Sequence, residues 1–271
     1  MMNPVLKVRN LSKRFKIPKG LFGHISIDAV KPLSFSLNEG KTLAIIGKNG
    51  SGKSTLAKML VGMISPDAGD IWVEDQKLEY GDYQTRCKLI RMIFQNVDSS
   101  FDPRLKIGKI LDIPLKQNTK LSANQREQLI YEVLKQVGLS AEHASYYPSV
   151  MAAGQKQRVA LARALILQPK VIIFDEALTA LDISMRSQII NLMLSLQEEQ
   201  KLSYVYVTQD IGMMKHISDQ ILVMHNGEVV ESGNTAEVLA SPLSDITQKL
   251  VQSYFGEALT ADTWRTDTRF N

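Results

Sequence analysis

The sequence predicts an α/β protein, and three observations carry that prediction. Short apolar runs alternate with helix-period patterns through most of its 271 residues. One such run, residues 42–46, stops at a glycine-rich stretch, and helical periodicity restarts at Lys53. Another, Val171-Ile172-Ile173-Phe174, ends in two adjacent carboxylates, Asp175 and Glu176.

The elements follow in order. Residues 5–8 and 30–37 read as early strands, separated by a loop around Gly20-Leu21-Phe22-Gly23. After the strand–glycine loop–helix unit, Ile71-Trp72-Val73 and residues 90–94 read as further strands. Between Asp102 and Gly154 strand signals vanish. Leu129, Ile130, Val133, Leu134 and Val137 recur there at helical spacing, which predicts an inserted helical lobe over about residues 100–160. Alternation resumes at 171–174, followed by a helix over 183–196, a strand over 204–207 and a strand pair, 221–224 and 228–231. The turn His225-Asn226-Gly227 joins that pair, and Thr235 opens another helical stretch. One domain over 4–255 is expected, with a polar tail over 256–271.

Composition narrows the class. Hydrophobic residues make up 44% and charged residues 22%, as in a soluble globular protein. The 32 basic residues exceed the 28 acidic ones only slightly, without a block of like charges; a solvated surface explains this, with an anionic nucleotide or an anionic membrane face as the alternative, and no nucleic-acid partner is expected. The single cysteine, Cys87, excludes an internal disulfide and a Cys-ligated zinc or iron–sulfur site. The first residues lack a signal-peptide core, and no window approaches the roughly 18 apolar residues of a membrane span, so any membrane crossing falls to a partner.

Gly47-Lys48-Asn49-Gly50-Ser51-Gly52-Lys53-Ser54 fits the pattern G-x-x-x-x-G-K-[ST] between a buried strand and a helix. Glycines let consecutive backbone N–H groups converge on phosphate oxygens, and the helix behind them presents its positive end to the anion. Lys53 is expected to reach the β- and γ-phosphates of ATP, Ser54 to ligate Mg²⁺, and Thr55 to continue the site. A random chain of this length shows the pattern with a probability of roughly 1% from average composition. Two acids beside a buried strand are costly unless something cationic meets them. Asp175 is expected to hold Mg²⁺ through its water shell, and Glu176 to polarise an attacking water; a solvated strand end is the plain alternative.

At this point the chain resembles the nucleotide-binding subunits of ABC transporters, over about residues 4–255 and in that family's motif order. Gln95 stands where the family has a glutamine that touches Mg²⁺ and the membrane subunit. Gly154-Gln155-Lys156-Gln157-Arg158-Val159-Ala160-Leu161-Ala162-Arg163-Ala164-Leu165 is similar to the segment following the family signature. Ala180-Leu181-Asp182 matches its D-loop, and Phe15 stands where an aromatic stacks on adenine. The resemblance implies a RecA-like P-loop NTPase core with an antiparallel β lobe and an inserted helical lobe. It also implies that two such domains sandwich two ATPs head to tail, each nucleotide meeting one P-loop and the other domain's signature. Ala152, Gly154, Gln155 and Asp182 would then meet the nucleotide of a second subunit.

Phe94-Gln95-Asn96-Val97-Asp98-Ser99-Ser100-Phe101-Asp102-Pro103-Arg104 and the stretch 241–250 resemble oligopeptide, dipeptide and nickel importer ATPases. The tail 255–264 and Tyr146-Tyr147-Pro148 resemble those members associated with sensitivity to antimicrobial peptides. The implied partners are a second, different ATPase subunit, membrane permeases and a substrate-binding protein, at the cytoplasmic face of a bacterial inner membrane. Peptide or another small cationic solute is the implied cargo, with import favoured. A regulatory ATP-binding subunit with little hydrolysis and a non-transport ATPase of the same family are the alternatives.

Two positions depart from the family. The usual Leu-Ser-Gly-Gly-Gln signature is Met151-Ala152-Ala153-Gly154-Gln155 here, lacking the serine hydroxyl. Where most members place a histidine after the threonine, Val207-Thr208-Gln209-Asp210 has Gln209, which donates and accepts hydrogen bonds but cannot carry a proton as imidazole does. Gln209 belongs to the site on this chain's P-loop and Ala152 to the partner's, so a heterodimer with two inequivalent sites is expected.

Overall fold

A computed structural model describes residues 4–19 and 23–255. The predicted polar tail after 255 and most of the 20–23 loop therefore lie outside the described residues.

Two antiparallel strands of 16 residues open the chain, β1 (Pro4–Lys19) and β2 (Gly23–Asn38). They continue well past the segments their apolar pattern marks. The extra length is concealed by exposed residues and by Pro18, and Pro32 interrupts the second run. Both prolines sit where a missing N–H is tolerated, since β2 is an edge strand and β4 (Ala68–Val73) pairs β1 only from Leu6 to Ser12. With the short β5 (Gln76–Lys77) these strands form a sheet ordered β2-β1-β4-β5.

The second sheet has the order β10-β9-β3-β8-β7-β6. Its strands are β3 (Thr42–Ile46), β6 (Ile90–Ile93), β7 (Val171–Asp175), β8 (Ser203–Thr208), β9 (Gln220–His225) and β10 (Glu228–Asn234). All pair in parallel except the β9–β10 hairpin. Both faces are covered, which is why β3, β7 and β8 read as unbroken apolar runs. Ile45, Ile173, Val205 and Met224 pack with α1 (Lys53–Leu60) and the first sheet. Ile46, Phe174, Tyr206 and Val223 face the opposite way, into a core shared with α5 (Ala153–Leu165), α6 (Ile183–Gln200) and α7 (Ile211–Ile217). There Phe174 stacks on Tyr206 at 4.9 Å between ring centroids.

The remaining helices are α2 (Tyr83–Leu89), α3 (Ile107–Asn118), α4 (Ala123–Gln136), α5 (Ala153–Leu165), α6 (Ile183–Gln200), α7 (Ile211–Ile217), α8 (Thr235–Ala240) and α9 (Asp245–Phe255). Among them α3, α4 and the start of α5 form the helical lobe, through Ile110, Leu111, Val133, Leu134 and Val159. Asp112 grips Arg126 at 2.6 Å between α3 and α4, and Ser122 with Gln125 caps α4 reciprocally. Among the described residues no helix is long and apolar enough to cross a membrane.

Candidate functional site

Parallel pairing brings the C-terminal ends of four adjacent strands side by side. Ile46 pairs with Thr208, Asp175 with Val207, and Ile93 with Phe174. The residues just beyond those ends therefore converge: 47–54 after β3, Gln209 after β8, Glu176 after β7 and Gln95 close after β6. Ligands of open parallel sheets gather at this edge.

The loop after β3 depends on its glycines. Gly47 has φ +153° and Gly52 φ +104°, and a Cβ would fall 2.2 Å from Met224 O at the first and 2.2 Å from Ala29 O at the second. No side chain fits in either place. Inside the turn the Ser51 hydroxyl is buried without a hydrogen-bond partner. Lys53, only 4% exposed, curls back so that Nζ donates to Gly47 O at 2.7 Å and Lys48 O at 3.0 Å. Burial pulls its pKa below the ordinary lysine range, opposed by Glu176 and Asp175. The result is a buried cation and an unpaired hydroxyl around a glycine turn, arranged to receive phosphate oxygens.

Ser54 Oγ donates to Asp175 Oδ1 at 2.9 Å. Asp175 is 8% exposed, and burial raises its pKa; the Ser54 hydrogen bond, Lys58 and Lys53 pull the other way, while Glu176 adds to the rise. Two hard oxygen donors side by side, one of them a carboxylate held at a desolvation cost, suit a small divalent cation such as Mg²⁺. Glu176 turns off the strand with φ +50°, a conformation rare for a side-chain-bearing residue, and its N–H donates to Val207 O at 2.8 Å. Its carboxylate is held from both sides: Gln95 Nε2 donates to Oε2 at 3.2 Å and Gln209 Nε2 to Oε1 at 3.1 Å. Gln209 Nε2 also donates to Asn49 Oδ1 at 2.8 Å, joining this group to the glycine turn.

Gly47, Asn49, Gly50, Ser51, Gly52, Lys53, Ser54, Gln95, Asp175, Glu176 and Gln209 thus form one site, with Thr55 in the first turn of α1. Phe15 lies apart on β1, opposite Ile27 and with Lys13 Nζ 5.6 Å from its ring centroid. The signature residues also stand elsewhere. Ala152 and Ala153 are exposed at the start of α5, and Gln155 Oε1 accepts the Ala152 N–H at 3.0 Å while its amide meets His143 at 3.3 Å. Ala152 has extended N-cap backbone but no side-chain acceptor, so only half of a capping box exists. Asp182 caps α6, its Oδ1 accepting from Met185 N at 2.8 Å. None of the hydrogen bonds made by Ala152, Gly154, Gln155 or Asp182 reaches the glycine turn.

The ABC transporter family profile matches residues 30–179, a span holding the glycine turn, Gln95, the signature segment and both acids. The chain belongs to the ABC transporter family. This ABC ATPase is 62% identical over 267 residues to the "Peptide transport system ATP-binding protein SapF" of Salmonella typhimurium, covering 98% of this chain and 100% of that protein. It is equally similar to the "Putrescine export system ATP-binding protein SapF" of Escherichia coli K12. It is 39% identical to the "Dipeptide transport ATP-binding protein DppF" of Haemophilus influenzae, over 92% of this chain and 78% of that one. Among solved structures, the dimeric post-hydrolysis state of the ATP-binding cassette MJ0796 bound to ADP and Pi superposes with a TM-score of 0.73 at 28% identity, covering 85% of this chain and 98% of that one.

Sequence reasoning missed several supports of the site. Arg186 and Tyr254 both donate to the carboxylate of Asp210, the residue after Gln209, and no motif marks Arg186 or Tyr254. Arg163 donates to Ser100 O at 2.6 Å and lies 4.8 Å from the Phe101 ring, anchoring the segment that follows Gln95. Burial first, then neighbouring Arg91, lowers its pKa to about 10.

Proposed function

We propose that this ABC ATPase binds Mg-ATP in its glycine turn and hydrolyses it with Glu176 as the water-activating base, driving a membrane permease. One observation carries the reading: the Glu176 carboxylate is held by Gln95 and Gln209 above the pair Ser54–Asp175. A base kept aligned by two amides, beside a buried lysine, is what in-line attack on a terminal phosphate needs. Lys53 exchanges the carbonyls of Gly47 and Lys48 for phosphate oxygens. Ser54 and Asp175 would hold Mg²⁺, which would supply charge neutralisation at the phosphates. Gln209 accepts and donates at the γ-phosphate position without changing protonation state.

The same geometry favours a heterodimer. Gln209 sits in the site built on this chain's glycine turn, while Ala152 and Ala153 face away from it and are free to meet a partner's nucleotide. A homodimer would combine the missing serine and the missing histidine in every site. Pairing with a different ATPase subunit separates them. Hydrolysis measured with and without that subunit tests this: vigorous cooperative turnover by this chain alone contradicts the asymmetry.

Peptide import is the cargo reading favoured by the 94–104 segment, at the cytoplasmic face of an inner membrane and with a substrate-binding protein as donor. Polyamine export is the second reading, supported by the name of the E. coli relative. Uptake into, and efflux from, vesicles carrying the assembled complex, with labelled cationic peptide and with putrescine, separates the two.

A further inference from the structure

The residue after Gln209 is tied to the last helix of the described chain. Asp210 accepts hydrogen bonds on both carboxylate oxygens. Oδ1 takes the Met213 N–H at 3.0 Å and the Tyr254 hydroxyl at 2.7 Å, and Oδ2 takes Arg186 Nη1 at 3.1 Å. Tyr254 belongs to α9, whereas Asp210 caps α7, 44 residues earlier. Arg186 also donates through Nη2 to Leu181 O at 3.2 Å, directly before Asp182. One carboxylate therefore holds three pieces of chain together: the turn bearing Gln209, the turn bearing Asp182, and the C-terminal helix.

A second observation supports the contact independently. The Tyr254 ring lies against Gly212, where a Cβ would fall 2.5 Å from Cε1 and 2.7 Å from the hydroxyl oxygen. Only glycine leaves room for the ring where it stands. Burial, then the hydrogen bond to Asp210, pushes the phenol up to about 12, so it remains a donor.

We infer that Tyr254 is a positioning residue for ATP hydrolysis: through Asp210 it holds the backbone of Gln209, and so places the amide that aligns Glu176. This inference rests on the reading of Gln209 as part of the hydrolytic site. Because Tyr254 touches neither the glycine turn nor Lys53, its removal should act on turnover and leave nucleotide affinity alone. The C-terminal helix thereby supports the hydrolytic site.

The test is Tyr254→Phe, which keeps the ring over Gly212 and deletes only the hydroxyl, assayed in the complex with the complementary ATPase subunit. Loss of a hydrogen bond to a charged acceptor predicts a roughly tenfold fall in kcat, with KM for ATP unchanged. Gly212→Ala, which displaces the ring, should reproduce the fall. In a Gln209→Ala background Tyr254→Phe should add nothing, because the amide it positions is gone. Unchanged kcat, a rise in KM alone, or an equal loss in both backgrounds would overturn the inference. A wild-type complex that does not hydrolyse ATP overturns the hydrolytic reading itself, and this inference with it.

Discussion

The Ser54 hydroxyl donates to Asp175 Oδ1 across 2.9 Å, joining positions 121 residues apart at the edge of one sheet. The bond exists because β8 lies between β3 and β7 and is in register with both, so the ends of β3 and β7 arrive together. Asp175→Asn keeps an acceptor for Ser54 and removes the charge. Outer partners of a bound metal typically contribute 10–100-fold, so the metal dependence of hydrolysis should weaken by about that factor. Titrating Mg²⁺ into a steady-state ATPase assay measures it.

Glu176→Gln leaves both neighbouring amides in place but removes the base. General-base catalysis contributes about 10²–10⁴-fold. Turnover should drop by that order while ATP stays bound in this chain's site, read by retained labelled nucleotide after gel filtration. Unchanged turnover would remove Glu176 from the mechanism.

Ala152→Ser should improve both the protein and its partner's site. The backbone at Ala152 already has N-cap geometry and already receives Gln155, so a hydroxyl completes the capping box and stabilises the chain by about 1 kcal/mol in chemical denaturation. Presented to the partner's nucleotide, the same hydroxyl should lower the ATP concentration needed to close the heterodimer.

Glu231 sets a pH dependence. Burial raises its pKa, but hydrogen bonds from the Leu243 and Ser244 backbone N–H groups help outweigh it, and the net shift is downward. Leu243 N donates at 2.8 Å and Ser244 N at 3.0 Å, fixing the approach to α9. A carboxylate with a lowered folded-state pKa contributes stability above its unfolded pKa, and that stability is lost as pH falls through the folded value. Glu231→Gln should cost about 1 kcal/mol at pH 7 from the weakened hydrogen bonds. The difference from wild type should close as the pH drops through the carboxylate range, measured by urea unfolding.

Much of this was legible in the sequence because the informative residues sit next to one another in the chain. The run Thr42–Ile46 and the turn behind it are local signals, and so is the pair Asp175–Glu176. What escaped reading depends on distant partners. Arg86, in the short helix α2, is 4% exposed because its guanidinium donates to the carbonyls of Leu60 at 2.6 Å and Leu78 at 2.8 Å. Carbonyls leave no trace in a residue pattern. A helix of 7 residues such as α2 or α7 is also too short for periodicity to declare. Tyr254 and Gly212 look ordinary alone, and only their contact gives them meaning.

On the proposed mechanism the glycine turn ahead of Lys53 receives the phosphates of ATP. Calorimetric titration of Mg-ATP into the protein, mixed with its complementary ATPase subunit, tests it most directly. Saturable binding at or below about 1 mM, the upper end of usual substrate affinities, that is lost in Lys53→Ala is the predicted result. No heat of binding, or binding of equal strength in Lys53→Ala, would contradict it.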